Sequence, residues 1–449
     1  MASPSDSPKP APSIARSTAV DSGSQLVAMA FGMIVGVVVA RTLGSEGRGV
    51  YVLATTFATQ FLLGFVNVGV ELGARVYTAR HPGERGAVHG VVVAITAAVA
   101  AFCGVLWLTF GHAGMEAIMP GLSPRDAMLV LGALPLLVYQ MGAYGILVGL
   151  SANRNRSLFD LAYSLVQNSV VLVILVAMLG APQGALVGWI VLSYYVVLGL
   201  SMVPLVVLLG RHGVGLAVPQ RELIRNFLRY GWGVWIGNLA AGLGQRIDQY
   251  VVQRASPDLA LFGVYTLATG LASRTRVFPQ ALSRSVYGRL ASAPADEAAR
   301  LAATCHRQML LMGLGLLAVG SLCAPLLPLI YGRDFAGAVV PFMLFLAGNG
   351  AMNCSWMLAN YFSGHLARPG IAAWINWGLL PFQAAAAWFA MKLGGLNAVA
   401  LAAFLGAGAN YLCFLTLFLR WQGHAGPRAL FVPTAEDFAP WRKMLRKRG

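Results

Sequence analysis

Charge is what this chain has least of. Only 11% of its 449 residues are charged and 57% are hydrophobic, where an ordinary soluble domain carries about 25% charged residues. That balance excludes a soluble globular protein and leaves a polytopic membrane protein. Lysine is nearly missing: Lys9, Lys392, Lys443 and Lys447 are the only ones, and none follows a glycine. There is thus no Gly-Lys phosphate loop, and an ATPase built into the chain is excluded. No HExxH, no Cys/His cluster and no GxSxG occurs, so zinc peptidase, zinc module and serine hydrolase chemistry have no residues to carry them, and no metal or other cofactor is expected. The links between apolar runs are short, which leaves no room for the extramembrane domain of a typical membrane glycosyltransferase or polymerase. An enzyme is the weaker class. The five cysteines all lie inside apolar runs, where they read as small hydrophobes without a disulfide.

What charge there is leans one way. The formal net charge is +16, and 28 of the 32 basic residues are arginines placed mostly in short gaps between apolar runs. Such gaps carry orientation signal and contact anionic lipid; they do not form a nucleic-acid groove, and no nucleic acid partner is expected.

The apolar runs number twelve, each near or above the roughly 20 residues that cross a bilayer. They fall at about 19–43, 49–74, 87–110, 127–150, 158–179, 185–209, 231–253, 261–291, 304–331, 336–364, 371–393 and 398–419. With the N-terminus cytoplasmic, 23 Lys and Arg fall on the inner side, 6 in the outer loops and 3 within helices. The positive-inside rule then places both termini on the cytoplasmic side. The Pro- and Ser-rich residues 1–17 read as a disordered tail. Residues 211–228 form a basic cytoplasmic linker in which Glu222 to Arg225 suggests a short surface helix, and 422–449 a basic tail whose Phe438, Trp441 and Leu445 share a helical face suited to the interface.

The chain also repeats itself. GVYVLATTFA at 49–58 matches GVYTLATGLA at 263–272 in seven of ten positions, at an offset of 214. LGAPQGALVGWIVLS at 179–193 resembles KLGGLNAVALAAFLG at 392–406. Two matches at nearly one period predict an all-α membrane protein of about twelve transmembrane helices, in two parallel-repeat six-helix bundles over 18–210 and 229–421.

Charges inside the runs concentrate in the second half. Arg246 and Asp248 sit in the seventh run, Arg274 and Arg276 in the eighth. Charge at membrane depth costs about 3 kcal/mol on insertion scales, so such residues face a bundle interior or a watery cavity. Arg246 and Asp248 differ by about 200° around a helix and do not pair simply. Arg276, Gln280 and Arg284 at i, i+4 and i+8 form one stripe. Facing a cavity, it is a cationic track suited to phosphate, since guanidinium forks match phosphate oxygens; the alternative is structural pairing with Asp248 or Glu71. In the tenth run Asn349, Asn353, Trp356 and Asn360 share one face. They suit sugar hydroxyls and rings, or bond across packed helices. Gly231, Gly233, Gly237, Gly242, Gly244 and Pro279 mark places where these helices bend.

Several stretches resemble polysaccharide and O-antigen flippases, the lipid-linked oligosaccharide flippase family of the multidrug/oligosaccharidyl-lipid/polysaccharide exporter superfamily. VGVVVARTLGSEGRGVY at 35–51 resembles the family's first-helix signature, FVNVGVELGAR at 65–75 the end of its second helix, RIDQYVVQRASPDLALFGVYTLA at 246–268 its helix seven to eight junction, and GLNAVALAAFL at 395–405 its last-helix start. The resemblance implies a place in the bacterial inner membrane and alternating-access flipping of an undecaprenyl-pyrophosphate-linked oligosaccharide for surface or exopolysaccharide assembly, with a cationic central cavity. A polysaccharide polymerase and export machinery are the partners it implies. Asp248 matches the family's helix-seven acid and Arg41 its helix-one arginine; position 67 is Asn where many relatives have Asp. Asp248 and Glu71 are the ion-coupling candidates. The substrate-binding candidates are Arg246, Arg274, Arg276, Arg284, Asn349, Asn353, Trp356 and Asn360. The competing readings are an ion-coupled multidrug exporter of the same fold, for which an acidic cavity is expected, and a membrane glycan polymerase or ligase.

Overall fold

A computed structural model describes residues 14–256, 258–366, 368, 370–422 and 428–434. Of the tail expected to be disordered over 1–17, residues 1–13 lie outside the described residues, as does the interfacial face of Phe438, Trp441 and Leu445, whereas residues 14–17 are not disordered but form the first turn of α1. Among the described residues every regular element is helical, as a bilayer demands where no water satisfies backbone groups. The helices trace twelve spans, and the chain is a multi-pass membrane protein.

Spans one and two share α1 (Ile14–Val52), which folds back at Gly44 (φ 66°, ψ −172°), and continue through α2 (Ala58–Val66) and α3 (Val70–Arg80). A left-handed φ is open to glycine at little cost, so a reversal needs no separate loop there. Spans three to six are α4 (Arg85–Ile118), α5 (Pro124–Gly149), α6 (Asn153–Ala177) and α7 (Gln183–Arg211). Span seven is α8 (Arg221–Gly244) with α9 (Ile247–Ala255), and span eight α10 (Leu259–Arg274) with α11 (Val277–Ser292). Span nine is α12 (Ala295–Cys323) with α13 (Leu327–Tyr331), and span ten centres on α14 (Val339–Asn360). Spans eleven and twelve share α15 (Gly370–Gln422), which turns at Gly395 (φ 62°, ψ −148°). A short α16 (Arg428–Phe431) follows.

One further expectation changes, and the bends expected near the glycines of span seven and Pro279 of span eight are full breaks. The Glu222 to Arg225 segment is not a separate surface helix; it is the first turn of α8, which runs unbroken from Arg221 to Gly244 because no proline interrupts it. Spans seven and eight are each two helices. Span eight breaks at Thr275–Arg276, four residues before Pro279, whose ring clashes with the carbonyl four positions back and which tolerates only a helix's first turn. Span seven breaks at Gln245–Arg246, after Gly242 and Gly244.

The two copies of the repeated decapeptide meet each other. A Cβ on Gly49 would run into the Leu259 carbonyl oxygen, and a Cβ on Gly263 into that of Ser45. Ser45 and Leu259 stand at the same 214-residue offset as the glycines, so the contact is reciprocal, as a two-fold relation between two copies requires. A second pair repeats the relation at the other end of the molecule. His89 on span three bonds the Gly215 carbonyl through Nδ1 at 3.0 Å, and His306 on span nine bonds that of Leu430 at 3.1 Å. Each carbonyl belongs to the chain that follows the last span of its half.

The molecule therefore has two ends: a linker end, holding 212–220, the start of α1 and residues 428–434, and a far end, where the decapeptides cross. At the far end Arg48 donates from Nη1 to the Gly263 carbonyl (2.5 Å) and to Thr266 Oγ1 (3.1 Å). Gln253 donates to the Pro120 carbonyl, and Arg41 to the carbonyls of Leu329 and, at 2.7 Å, Ile330. Every one of these joins the first half to the second. Spans two and seven stay together toward the linker end, where Gly73 admits the Phe227 ring. Span eight does not stay with span one: α10 packs on α1, whereas α11 packs on α12 and α14 of its own half.

Candidate substrate site

Where α11 leaves span one, a cavity of about 880 Å³ opens, lined by the second half except for Leu72. It runs from Gln245 at the break of span seven to Arg229, Tyr230 and Gly370 near the linker end. Its inner end adjoins a smaller void of about 60 Å³, lined by Gln245, Asp248, Arg276, Asn349 and Gln383.

Arg276 is the centre of this inner end, and the helix break puts it there. Standing in the turn between α10 and α11, its side chain crosses to span ten. Nε and Nη2 donate to Asn349 Oδ1 at 2.9 and 2.6 Å, and Nη1 donates to Gln245 Oε1 at 2.7 Å. The guanidinium also lies 5.5 Å from the centre of the Trp356 ring. Asn349 is buried and fixed from behind, its Nδ2 donating to the Ala272 carbonyl at 2.8 Å, which at the break of span eight also accepts from Thr275 Oγ1 at 2.7 Å. Three of the five guanidinium N–H groups are thus engaged, all by neutral amides. Asp248 lines the same void but is committed elsewhere: only 6% exposed, it accepts the Tyr265 hydroxyl proton on Oδ2 at 2.8 Å. The cation is held in place without being neutralised by a bonded carboxylate.

The structure brings Arg276, Asn349, Trp356 and Asp248 together. Arg246 and Arg274 turn to the first half instead: Arg246 donates to Gln60 Oε1, and Arg274 to the Met29 carbonyl at 3.4 Å. The Arg284 side chain lies outside the described residues, and Gln280 is exposed. On span ten, Asn360 donates to Ser283 Oγ at 2.6 Å, a bond between packed helices. Asn353 is 2% exposed, and its Oδ1 has no hydrogen-bond partner among the described residues. Glu71 belongs to a separate cluster: Arg156 reaches it at 3.7 Å, reaches Asp160 at 3.7 Å, and lies 5.0 Å from the Tyr144 ring centre. Arg41 sits at the far end.

Sequence reasoning missed Gln245, the anchor of Arg276, and the amides Asn238, Asn376, Gln383 and Asn410 of the larger cavity. Each was visible as a lone amide in an apolar run, the signal that singled out span ten. Arg48 lay inside a quoted motif without being picked out.

A family model described as "Polysaccharide biosynthesis protein" matches residues 14–286. No curated protein matches the chain. Among solved structures, the lipid II flippase MurJ in an inward closed conformation has 13% identity over 95% of this chain and 95% of its own, with a TM-score of 0.66. An inward-facing multidrug resistance MATE family transporter of the MOP superfamily has 15% identity over 90% of this chain and 98% of its own, TM-score 0.64. A single-residue mutant of the Vibrio cholerae MATE transporter VcmN has 14% identity over 92% and 98%, TM-score 0.62. These likenesses establish the shared twelve-helix fold.

Proposed function

The chain belongs to the polysaccharide biosynthesis protein family, and from that premise we propose that it flips an undecaprenyl-pyrophosphate-linked oligosaccharide across the bacterial inner membrane. The lobes 18–210 and 229–421 alternate access around the cavity. The linker end is cytoplasmic, by the charge bias of 23 to 6 and the positive-inside rule. The described state, joined at the far end and with its cavity reaching the linker end, is the loading state. The pyrophosphate binds at Arg276, with Arg246, Arg274 and Arg284 along its further path. Asp248 is the first candidate for a proton carrier and Glu71 the second. The substrate leaves chemically unchanged, and no cofactor takes part.

The observation that carries this reading is a membrane-depth guanidinium whose hydrogen bonds, among the described residues, go to neutral amides and to no carboxylate, with two N–H groups left to take an anion. Charge at that depth is costly unless it serves a path, and a fork of N–H donors fits a phosphoryl group bidentately. Export of cationic drugs calls for the opposite sign, and the larger cavity is lined by no Asp or Glu. Both MATE neighbours therefore serve as guides to fold alone.

The test is reconstitution. In proteoliposomes, a fluorescent prenyl-pyrophosphate-linked glycan is expected to become accessible to a membrane-impermeant quencher on the opposite face, and to be recovered intact. Efflux of ethidium without glycan flipping would overturn the reading in favour of a drug exporter, and a cleaved or extended glycan in favour of an enzyme. Orientation is checked in whole cells lacking the native cysteines. Ser123→Cys, exposed in the loop before α5, and Arg154→Cys, exposed in the first turn of α6 at the opposite end, are expected to label and not to label, respectively, from outside.

A further inference from the structure

Behind Arg276 the cavity changes character. Its walls carry amides from three spans, Asn238 on span seven, Asn376 and Gln383 on span eleven and Asn410 on span twelve, with Trp356 and Tyr287 as aromatic surfaces. Apart from Arg229 toward the linker end, no lining residue is charged. We propose that this cavity is a subsite for neutral sugars, receiving the residues next to the pyrophosphate; the inference rests on the flippase reading and adds which part of the substrate is recognised, and by what.

The chemistry favours that occupant. A side-chain amide both donates and accepts, which matches vicinal hydroxyls that do the same. Trp and Tyr offer a flat apolar body with a polar edge, suited to the C–H face of a pyranose. Among the amides a uronic acid would lack a cation, Arg229 standing apart toward the linker end, and a cationic ligand would lack an acid; burying either charge unpaired is costly. The amides are also held ready: Asn410, 3% exposed, donates from Nδ2 to Asn376 Oδ1 at 2.9 Å. That leaves the Asn376 amide N–H groups for a ligand. Asn238 is exposed on the wall with no hydrogen bond among the described residues. A volume near 880 Å³ falls in the ~300–1,000 Å³ range of sites that enclose drug-sized ligands, which suits a few sugar rings and not a long polymer.

The duplication supplies an independent argument. At the 214-residue offset the counterpart of Arg276 is Leu62, and that of Asn410 is Val196. The counterparts of Asn238, Asn376 and Gln383 are Ser24, Ala162 and Ser169, so none of the four amides is repeated in the first half. The amide set, and not polarity as such, belongs to the second half alone, as expected for a binding wall and not for a packing device.

The experiment uses the full-length protein in lipid nanodiscs and two probes, farnesyl pyrophosphate and farnesyl-pyrophosphoryl-N-acetylglucosamine, titrated by calorimetry. The wild type is expected to bind the sugar-bearing probe at least about tenfold more tightly. Asn238→Leu and Asn376→Leu should each remove most of that gain while leaving the affinity for farnesyl pyrophosphate unchanged, which also shows that the variants are folded. Equal affinity of the wild type for both probes, or an undiminished gain in both variants, overturns the sugar subsite and leaves the flippase reading standing. Failure of the wild type to bind farnesyl pyrophosphate overturns both. A third probe carrying glucuronate should show no gain; a gain equal to that of N-acetylglucosamine overturns the restriction to neutral sugars.

Discussion

Arg276→Ala is expected to abolish flipping of a pyrophosphate-linked glycan while the protein still reaches the membrane. Two effects add. A hydrogen bond to a charged group contributes about 1.5–3 kcal/mol net, and a pyrophosphate entering this void takes at least one from the free N–H groups of the guanidinium. Losing it slows loading by about one to two orders of magnitude. The pyrophosphate also brings negative charge toward Asp248, the acid that lines the same void, and without the arginine that approach is repulsive in a medium where charges are poorly screened. The residue has a structural duty as well, because Asn349 Oδ1 and Gln245 Oε1 both accept from it. Arg276→Lys separates the two roles. It keeps the charge and one donor but not the fork, so it should restore part of the transport, whereas a scaffold role alone predicts loss in proportion to stability. The measurement is the initial flipping rate in proteoliposomes beside the thermal unfolding midpoint of each variant. Full-rate transport by Arg276→Ala would show that the guanidinium is structural and that the pyrophosphate binds elsewhere.

The sequence made some of this legible and hid the rest for physical reasons. Twelve apolar runs are visible because hydrophobic length is a local property. The duplication is visible because a decapeptide at a helix crossing tolerates little change: Gly49 and Gly263 approach each other's helices too closely to carry a side chain. The buried charges are visible because they are rare. What pairs with each of them was not. Gln245, Arg276 and Asn349 come together across 31 and 73 positions, and only the packing of spans seven, eight and ten decides that meeting. A straight helix through Pro279 would have placed Arg276 in line with Gln280 and Arg284, as their periodic spacing suggests. The proline instead ends the helix, and Arg276 stands in the resulting turn. Arg41, singled out through a family motif, holds the end of span nine, a role no spacing along the chain reveals.

Gly49→Ala and Gly263→Ala are expected to disable transport to a similar degree, by preventing the far end from closing. A methyl group at either position runs into a backbone carbonyl of the other half, that of Leu259 or of Ser45, four residues before the other decapeptide's first glycine. Backbone cannot rotate aside as a flexible side chain does, so the helices must part. Overpacking of this kind costs typically 1–3 kcal/mol, enough to shift a balanced pair of conformations by one to two orders of magnitude. The shift should favour the state open at the far end, because Arg48 reaches the Gly263 carbonyl and Thr266 only when the decapeptides touch. Ala40→Cys reports it: Ala40 is 1% exposed, in a cluster with Val264 and Phe335 of the opposite half. In intact cells its labelling by an impermeant maleimide should be slow in the parent and at least about tenfold faster with either alanine, in step with the population shift. The reciprocal geometry makes a sharper demand. Once one methyl has parted the helices the second meets open space, so the double variant should be little worse than either single, a strong departure from additivity of the kind contacting residues show. Gly36→Ala, with no neighbour within 4 Å of the added methyl, is the control and should transport normally. Additive effects at 49 and 263, or unchanged labelling at position 40, would mean that the crossing is a fixed hinge and that the far end opens elsewhere.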